Sequence, residues 1–495
     1  MINASFWRGK KVFLTGHTGF KGAWTALLLN RLGAEVHGYA LPPTHPSSLF
    51  VAAGVADDLH HRVADIRDLD ALRDALSNAR PEIIIHMAAQ ALVRQSYAEP
   101  VETFATNIMG TVNLLEAARS VSSLRAILIV TSDKCYENHT QQAGFREDDR
   151  LGGSDPYSNS KACAELVTDA YRRSFYQAAD AARIATARAG NVFGGGDWAP
   201  DRLVPDAMQA FLDGNPLRIR NPDAVRPWQH ALDPVLGYLL LAERLSEDAS
   251  FAGGWNFGPG AESEVTVREI VDNLLTLWGD GARWVADSGP HPREAAYLKL
   301  DCHKARTRLN WTPRLDLAHG LELTVSWYKA AKRGDSLRDI SLDQIDYVLK
   351  RAANQGAGHS RSEQPESNQI EAGRPELIRG QRRHHVGLGL VQQLVHGNNF
   401  KSLGANTLYD RRQCPHRLAA ISATIMQQDH VPAALVIDLA RWKMRQHVRG
   451  NLLRAAAGVV TPIIGIDLVP NRDVPHVLGR LQRTHLVSGI RFLID

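Results

Sequence analysis

Thr15-Gly-His-Thr-Gly-Phe-Lys-Gly22 joins an apolar run at residues 12–15 to a stretch, residues 22–32, that sets Trp24, Leu27, Leu28 and Leu32 on one helical face. A strand that turns this sharply into a helix needs glycine, and the helix start then offers free amides and a positive dipole end to phosphate. Gly16 is expected to make the turn, Gly19 to let backbone approach a pyrophosphate, and Gly22 to let the helix pack closely on the strand; Phe20 belongs to the same turn. The alternation continues as far as Arg188. Strands are expected at 35–39, 61–64, 82–86, 125–131 and 183–188, with helices at 68–77, 101–119 and 156–176. Strands alternating with helices imply an α/β fold, a doubly wound parallel sheet of Rossmann type.

Beyond Asn191 that rhythm breaks. Gly194-Gly-Gly196 and prolines 200, 205, 216, 222 and 227 punctuate shorter elements, with helical patterning again at 262–278 and 317–333. The organisation expected is a dinucleotide-binding unit at 1–190, a smaller C-terminal substrate-binding lobe at 191–350 interleaved with it, and a tail at 351–495. The tail opens with a linker-like composition and carries 17 Arg and 2 Lys against 10 acidic residues, a net of +9. The whole chain is formally +4, so the first 350 residues stand at −5 and need no nucleic acid to explain them. The tail reads as a disordered or frame-shifted appendage or as a basic module, and its sequence does not separate these.

Other classes are excluded more simply. With 44% hydrophobic and 22% charged residues, the 495-residue chain has an ordinary globular composition. No apolar run is long enough to span a membrane, and the first residues lack a signal peptide's apolar core. Cys135, Cys163, Cys302 and Cys414 are scattered without pairing, which fits a reducing cytoplasm. The pairs His60-His61 and His384-His385 have no carboxylate or cysteine at ligand spacing, so no metal is expected.

Three segments carry chemistry. Tyr157-Ser-Asn-Ser-Lys161 stacks a phenol and an ammonium one helical turn apart, so that the ammonium can favour phenolate and the tyrosine can take a hydroxyl proton. Val130-Thr-Ser-Asp-Lys134 follows the fifth strand and offers a hydroxyl, Ser132, followed by an acid and an amine, Asp133 and Lys134. Hydride transfer alone needs no second proton-handling pair, whereas elimination of water does. At the end of the fourth strand, the small Ala88 and Ala89 leave room for a dinucleotide. No acid ends the second strand, which reads Gly38-Tyr-Ala-Leu-Pro-Pro43, so NAD and NADP both remain open.

The GxxGxxG spacing resembles the extended short-chain dehydrogenases/reductases. The motifs at 16–22, 131–138 and 157–161, with Arg188-Ala-Gly-Asn-Val-Phe-Gly-Gly-Gly-Asp-Trp198, Arg226-Pro-Trp-Gln-His230 and Tyr297-Leu-Lys-Leu-Asp301, are similar to those of CDP-glucose 4,6-dehydratases over residues 5–350. The resemblance implies NAD as cofactor, with Asp65 and Ile66 at the adenine, Lys161 on the nicotinamide ribose, and a nucleotide-sugar substrate. It implies oxidation at C4 by Tyr157 with Ser132 and Lys161. Loss of water across C5–C6 follows, with Lys134 as base and Asp133 as acid, and hydride returns to C6. A lysine replaces the glutamate of dTDP-glucose relatives, which leaves those two roles interchangeable. A lysine acting as base needs burial or a positive neighbour. Asn191, Arg202 and Arg226 are expected at the diphosphate, Gln90 and Arg94 at the sugar. His291 and Glu294 lie where the chain departs from the family pattern. Family analogy also implies a homodimer or higher homo-oligomer built on helices 101–119 and 157–176. Two other readings use the same fold: a 4-epimerase, which has no use for Asp133 and Lys134, and a dinucleotide sensor with a nucleic-acid-binding tail.

Overall fold

The computed structural model describes residues 2–138, 143–287, 289 and 298–358. The expectations for the tail beyond residue 358, for His384-His385 and for residues 291, 294 and 297 lie outside them; the tail's first eight residues, expected to open a linker, instead continue a helix, Leu337–Gly358. Seven parallel strands form the central sheet: β1 (Lys11–Thr15), β2 (Glu35–Ala40), β3 (His60–Val63), β4 (Ile83–His86), β5 (Ala126–Val130), β6 (Arg183–Ala189) and β7 (Gly253–Phe257). Their order is β7-β6-β5-β4-β1-β2-β3. Val12 of β1 faces Val36 of β2 on one side and Ile83 of β4 on the other. The strand order therefore reverses at β1, and the crevice over the strand ends there is the place where such sheets bind ligands. β4 and β5 are buried at every residue, as expected of parallel strands covered on both faces.

On one face Trp24, Leu27 and Leu28 of helix α1 (Phe20–Arg31) join the main core, and on the other Leu72 and Leu76 of α2 (Leu69–Ala79) pack with Leu114 and Leu115 of α3 (Gly110–Ala118). The expected helix over 101–119 is interrupted: a π-helical turn at Ala105–Met109 precedes α3. Helix α4 (Pro156–Phe175) starts where Asp155 accepts a hydrogen bond from the Ser158 amide, with Pro156 in its first turn.

Two departures come from the second half of the chain. Residues expected to form only short elements contain a 16-residue helix, α5 (Leu232–Glu247), with thirteen of its side chains buried. A helix apolar on all sides shows no amphipathic period, so a periodicity reading passes over it. β7 also returns to the main sheet beside β6, so residues beyond 190 complete the sheet as well as forming a lobe. The remaining pairings there are short ribbons, Val225–Pro227 with Glu264–Thr266 among them. Among the described residues, no helix is long and apolar enough to cross a membrane.

Candidate active site

The ends of β1, β4, β5 and β6 open on one cavity of about 1450 Å³. It exceeds the ~300–1,000 Å³ of an ordinary small-molecule site. Every residue singled out for cofactor, substrate or catalysis lines it: Gly16, Gly19, Phe20, Gly22, Asp65, Ile66, Ala88, Ala89, Gln90, Arg94, Ser132, Asp133, Lys134, Tyr157, Lys161, Asn191, Arg202 and Arg226.

The glycine turn is sterically obligatory at two of its three positions. Gly16 has φ +75°, and a Cβ there would lie 2.6 Å from the Ala88 nitrogen; one on Gly22 would lie 2.0 Å from the Gly16 carbonyl oxygen. Gly19 has no such conflict and stands as N-cap of α1 without a side-chain cap, so its amide end faces the cavity as a phosphate cradle requires. Asp65 is engaged by a bidentate Arg67 guanidinium, which holds its carboxyl below the usual range. Its Oδ1 also accepts from the Arg67 amide at 2.9 Å, so holding an adenine amino group requires the Arg67 guanidinium to turn away from it.

At the end of β5 the candidate catalytic groups converge. Ser132 donates to Asp133 Oδ1 at 3.0 Å and accepts from the Lys134 amide, capping a short 3₁₀ turn. Asp133 is 1% exposed, and its Oδ2 is buried without a hydrogen-bond partner. Gly190 makes room for that oxygen, since a Cβ there would lie 2.4 Å from it. Lys134 Nζ sits 3.5 Å from Asp133 Oδ1 with about a third of its side chain exposed. Its near neighbour is thus a carboxylate.

Tyr157 is buried, and its hydroxyl hydrogen-bonds Ser132. The expectation of a phenol lowered by its lysine needs correction for the protein without ligands. Burial raises the Tyr157 pKa more than Ser132, Lys134 and Arg202 lower it. Lys161 Nζ points instead to the Val130 carbonyl, 3.5 Å away, and burial brings its pKa down to about 8.

The substrate candidates divide. Asn191 Nδ2 is buried and unpartnered, as a donor awaiting a ligand would be. Arg202 and Arg94 are ion-paired to Asp197 and Asp201, each at 3.0 Å. Arg226 reaches the Val225 carbonyl. Gln90 differs: its amide is spent on Leu92 of its own loop and on Thr103 of a following helix, so it shapes the wall and a sugar contact from its side chain is not supported.

Four contributors went unread in the sequence. Lys21, within the glycine turn, is half-buried and its pKa falls to about 7 under desolvation, Lys161 and Arg202. Asn107, in the π turn, clamps the Gln90 backbone from both sides and donates to Ser160 of α4 at 2.8 Å. Glu165 and Arg188 form a buried pair behind Thr131. Ser48 presents a buried, unpartnered hydroxyl to the cavity. A lysine among glycines was a visible signal. Asn107, Glu165 and Ser48 had none, because their partners are distant in sequence.

A glycine cradle, a buried Tyr-Lys pair and an adjacent Asp-Lys pair on a doubly wound sheet are the features of an extended short-chain dehydrogenase/reductase. The chain belongs to the GDP-mannose 4,6 dehydratase family, whose model matches residues 13–324. It is 50% identical over 354 residues to the CDP-glucose 4,6-dehydratase of Salmonella typhimurium, covering 70% of this chain and 99% of that one. It is 30% identical over 295 residues to the dTDP-glucose 4,6-dehydratase of Streptomyces antibioticus, covering 58% of this chain and 78% of that one. Among solved structures, the dTDP-glucose 4,6-dehydratase of Streptomyces venezuelae with NAD and TYD bound superposes with a TM-score of 0.56 at 26% identity, over 66% of this chain and 98% of that one. The UDP-glucose 4-epimerase of Thermotoga maritima shares the fold, with a TM-score of 0.57 at 22% identity, over 65% of this chain and 99% of that one.

Proposed function

We propose that this protein is a hydro-lyase that converts CDP-glucose to CDP-4-keto-6-deoxyglucose, a step of deoxysugar biosynthesis, with NAD as a recycled cofactor. The observation that carries this reading is the Asp133–Lys134 pair lying in one cavity with Tyr157, Ser132 and Lys161, in a chain 50% identical to a CDP-glucose 4,6-dehydratase along nearly all of that enzyme. The residues present fit NAD: the Gly16–Gly22 cradle, the Asp65 acceptor and the unpartnered Ser48 hydroxyl are all at the cavity wall. Bound there, NAD supplies reversible hydride acceptance.

Tyr157, through Ser132, removes the proton of the C4 hydroxyl. Lys161 supplies positive charge beneath the phenol and holds a ribose hydroxyl. Once C4 is a ketone, the C5 proton is acidic, and elimination needs a base at C5 and an acid at O6. In the open cavity Asp133 and Lys134 form an ion pair, the reverse of what an Asp133 acid and a Lys134 base require. The neutral carboxylic acid and amine carry the same total charge, and desolvation by substrate favours them over the ion pair. A net transfer of one proton from Lys134 to the Asp133 carboxyl, carried on Oδ2 because Oδ1 already accepts from Ser132, arms both groups. The unpartnered Asp133 Oδ2 is then the oxygen that protonates the departing hydroxyl. Asn191, Arg202 and Arg226 hold the diphosphate, and Arg94 reaches the sugar.

The working unit is a homodimer in this reading, supported by Val101 (81% exposed), Met109 and Leu166, large apolar side chains left uncovered on the helices that flank the cavity. Incubation with CDP-glucose tests the function: a 4-keto-6-deoxy product, seen by its absorbance in alkali, is expected. Release of a C4 epimer that keeps its 6-hydroxyl would overturn it.

A further inference from the structure

Adjacent histidines alternate faces, so His60 and His61 cannot chelate together. The sheet gives His60 other neighbours. Glu35 and His37 are two apart on β2 and share a face; His37 is the register partner of His60 on β3. One ligand atom from each of Glu35, His37 and His60 lies within 4.8 Å of the others. His37 Nε2 is 2.9 Å and His60 Nε2 3.7 Å from the same oxygen, Glu35 Oε1. The carboxylate that neither histidine has at ligand spacing in the sequence thus comes from the neighbouring strand.

We propose that Glu35, His37 and His60 bind a borderline divalent transition-metal ion, zinc foremost, at the edge of the sheet. Two imidazoles and one carboxylate suit zinc and its first-row neighbours and not magnesium or calcium, which prefer all-oxygen shells. The set lies at the N-terminal ends of β2 and β3, whereas the catalytic cavity lies over the C-terminal ends of the strands. The His37 and His60 rings now stack, with centroids 4.4 Å apart and planes at 18°. Capture requires the His60 ring, 66% exposed, to tilt so that both lone pairs meet. Lys11, opposite Glu35 on β1, places its ammonium 3.6 Å from Oε1. It is the competing cation, and its exposed stem lets it swing away. A bound ion would tie the edge strand β3 to β2, with water in the remaining coordination position.

The test is zinc chloride titrated into the chelator-stripped, full-length protein by calorimetry, with H60A, E35Q and the H37A/H60A double variant alongside. Comparison between variants separates this site from zinc held elsewhere on a chain of 20 histidines. The parent should bind one equivalent more than H37A/H60A. H60A, which removes an exposed side chain and leaves the fold intact, should weaken that equivalent at least about tenfold. Cobalt(II) at the site should give a visible d–d absorption that H60A abolishes, while CDP-glucose turnover is unchanged. Identical zinc isotherms for the parent, H60A and E35Q would overturn the proposal.

Discussion

Gly190→Ala isolates the second half of the reaction. The added Cβ would lie 2.4 Å from Asp133 Oδ2 and 3.0 Å from its Cγ, whereas ordinary contact begins at 3.4 Å. Asp133 is buried and pinned through Oδ1 by Ser132 and Lys134, so the carboxyl must move by about 1 Å, a displacement that can cost ~100-fold in rate. The three atoms nearest the new methyl all belong to Asp133, not to Tyr157 or Lys161. The variant is therefore expected to oxidise C4 at near the parental rate and then stall, with product forming about 100-fold more slowly. Rapid mixing with CDP-glucose, following reduced-nicotinamide absorbance on the enzyme and product absorbance in alkali, separates the two steps. Parental product formation would remove Oδ2 from the mechanism. Loss of cofactor reduction to the same degree as product would show that oxidation and elimination do not divide between Tyr157 and Asp133.

Three further outcomes follow from the same geometry. Burial takes the Lys161 pKa from 10.5 to about 8, so kcat/KM should fall as pH rises through about 8, and Lys161→Arg, which stays charged, should lack that alkaline limb though slower. The stability sign is opposite: between about 8 and 10.5 the unfolded chain holds the extra proton, so this lysine's contribution to stability rises with pH across that window. Glu165→Gln leaves the Arg188 guanidinium buried without its charge partner and should cost about 3–5 kcal/mol in urea unfolding; a change within experimental error would contradict a structural role for the pair. Val101→Glu with Leu166→Glu should convert a dimer to a monomer by light scattering, and an unaltered mass would move the interface elsewhere.

What was readable in the sequence was local. The glycine turn, the Tyr157–Lys161 spacing and the Asp133–Lys134 pair each sit within a few residues, and strand alternation through Arg188 set the sheet. What escaped depends on distant partners or on environment. α5 is buried all round and so has no period. β7 begins Gly253-Gly254, and Gly254 is needed because a Cβ there would lie 2.7 Å from the Arg188 guanidinium. Gln90 has the look of a sugar ligand in the sequence, but Leu92 and Thr103 consume its amide. Its spacing to Lys161 alone would acidify Tyr157, yet burial outweighs its cationic neighbours and raises its pKa. The Glu35–His37–His60 set appears only once the β2–β3 register is known.

The most direct test of the central claim uses CDP-glucose carrying deuterium at C4. A dehydratase that oxidises, eliminates water and returns the same hydride must deliver that deuterium to the C6 methyl of the product, with a solvent proton at C5. Deuterium recovered at C4 of an inverted hexose would identify an epimerase and contradict a proton-handling role for Asp133 and Lys134.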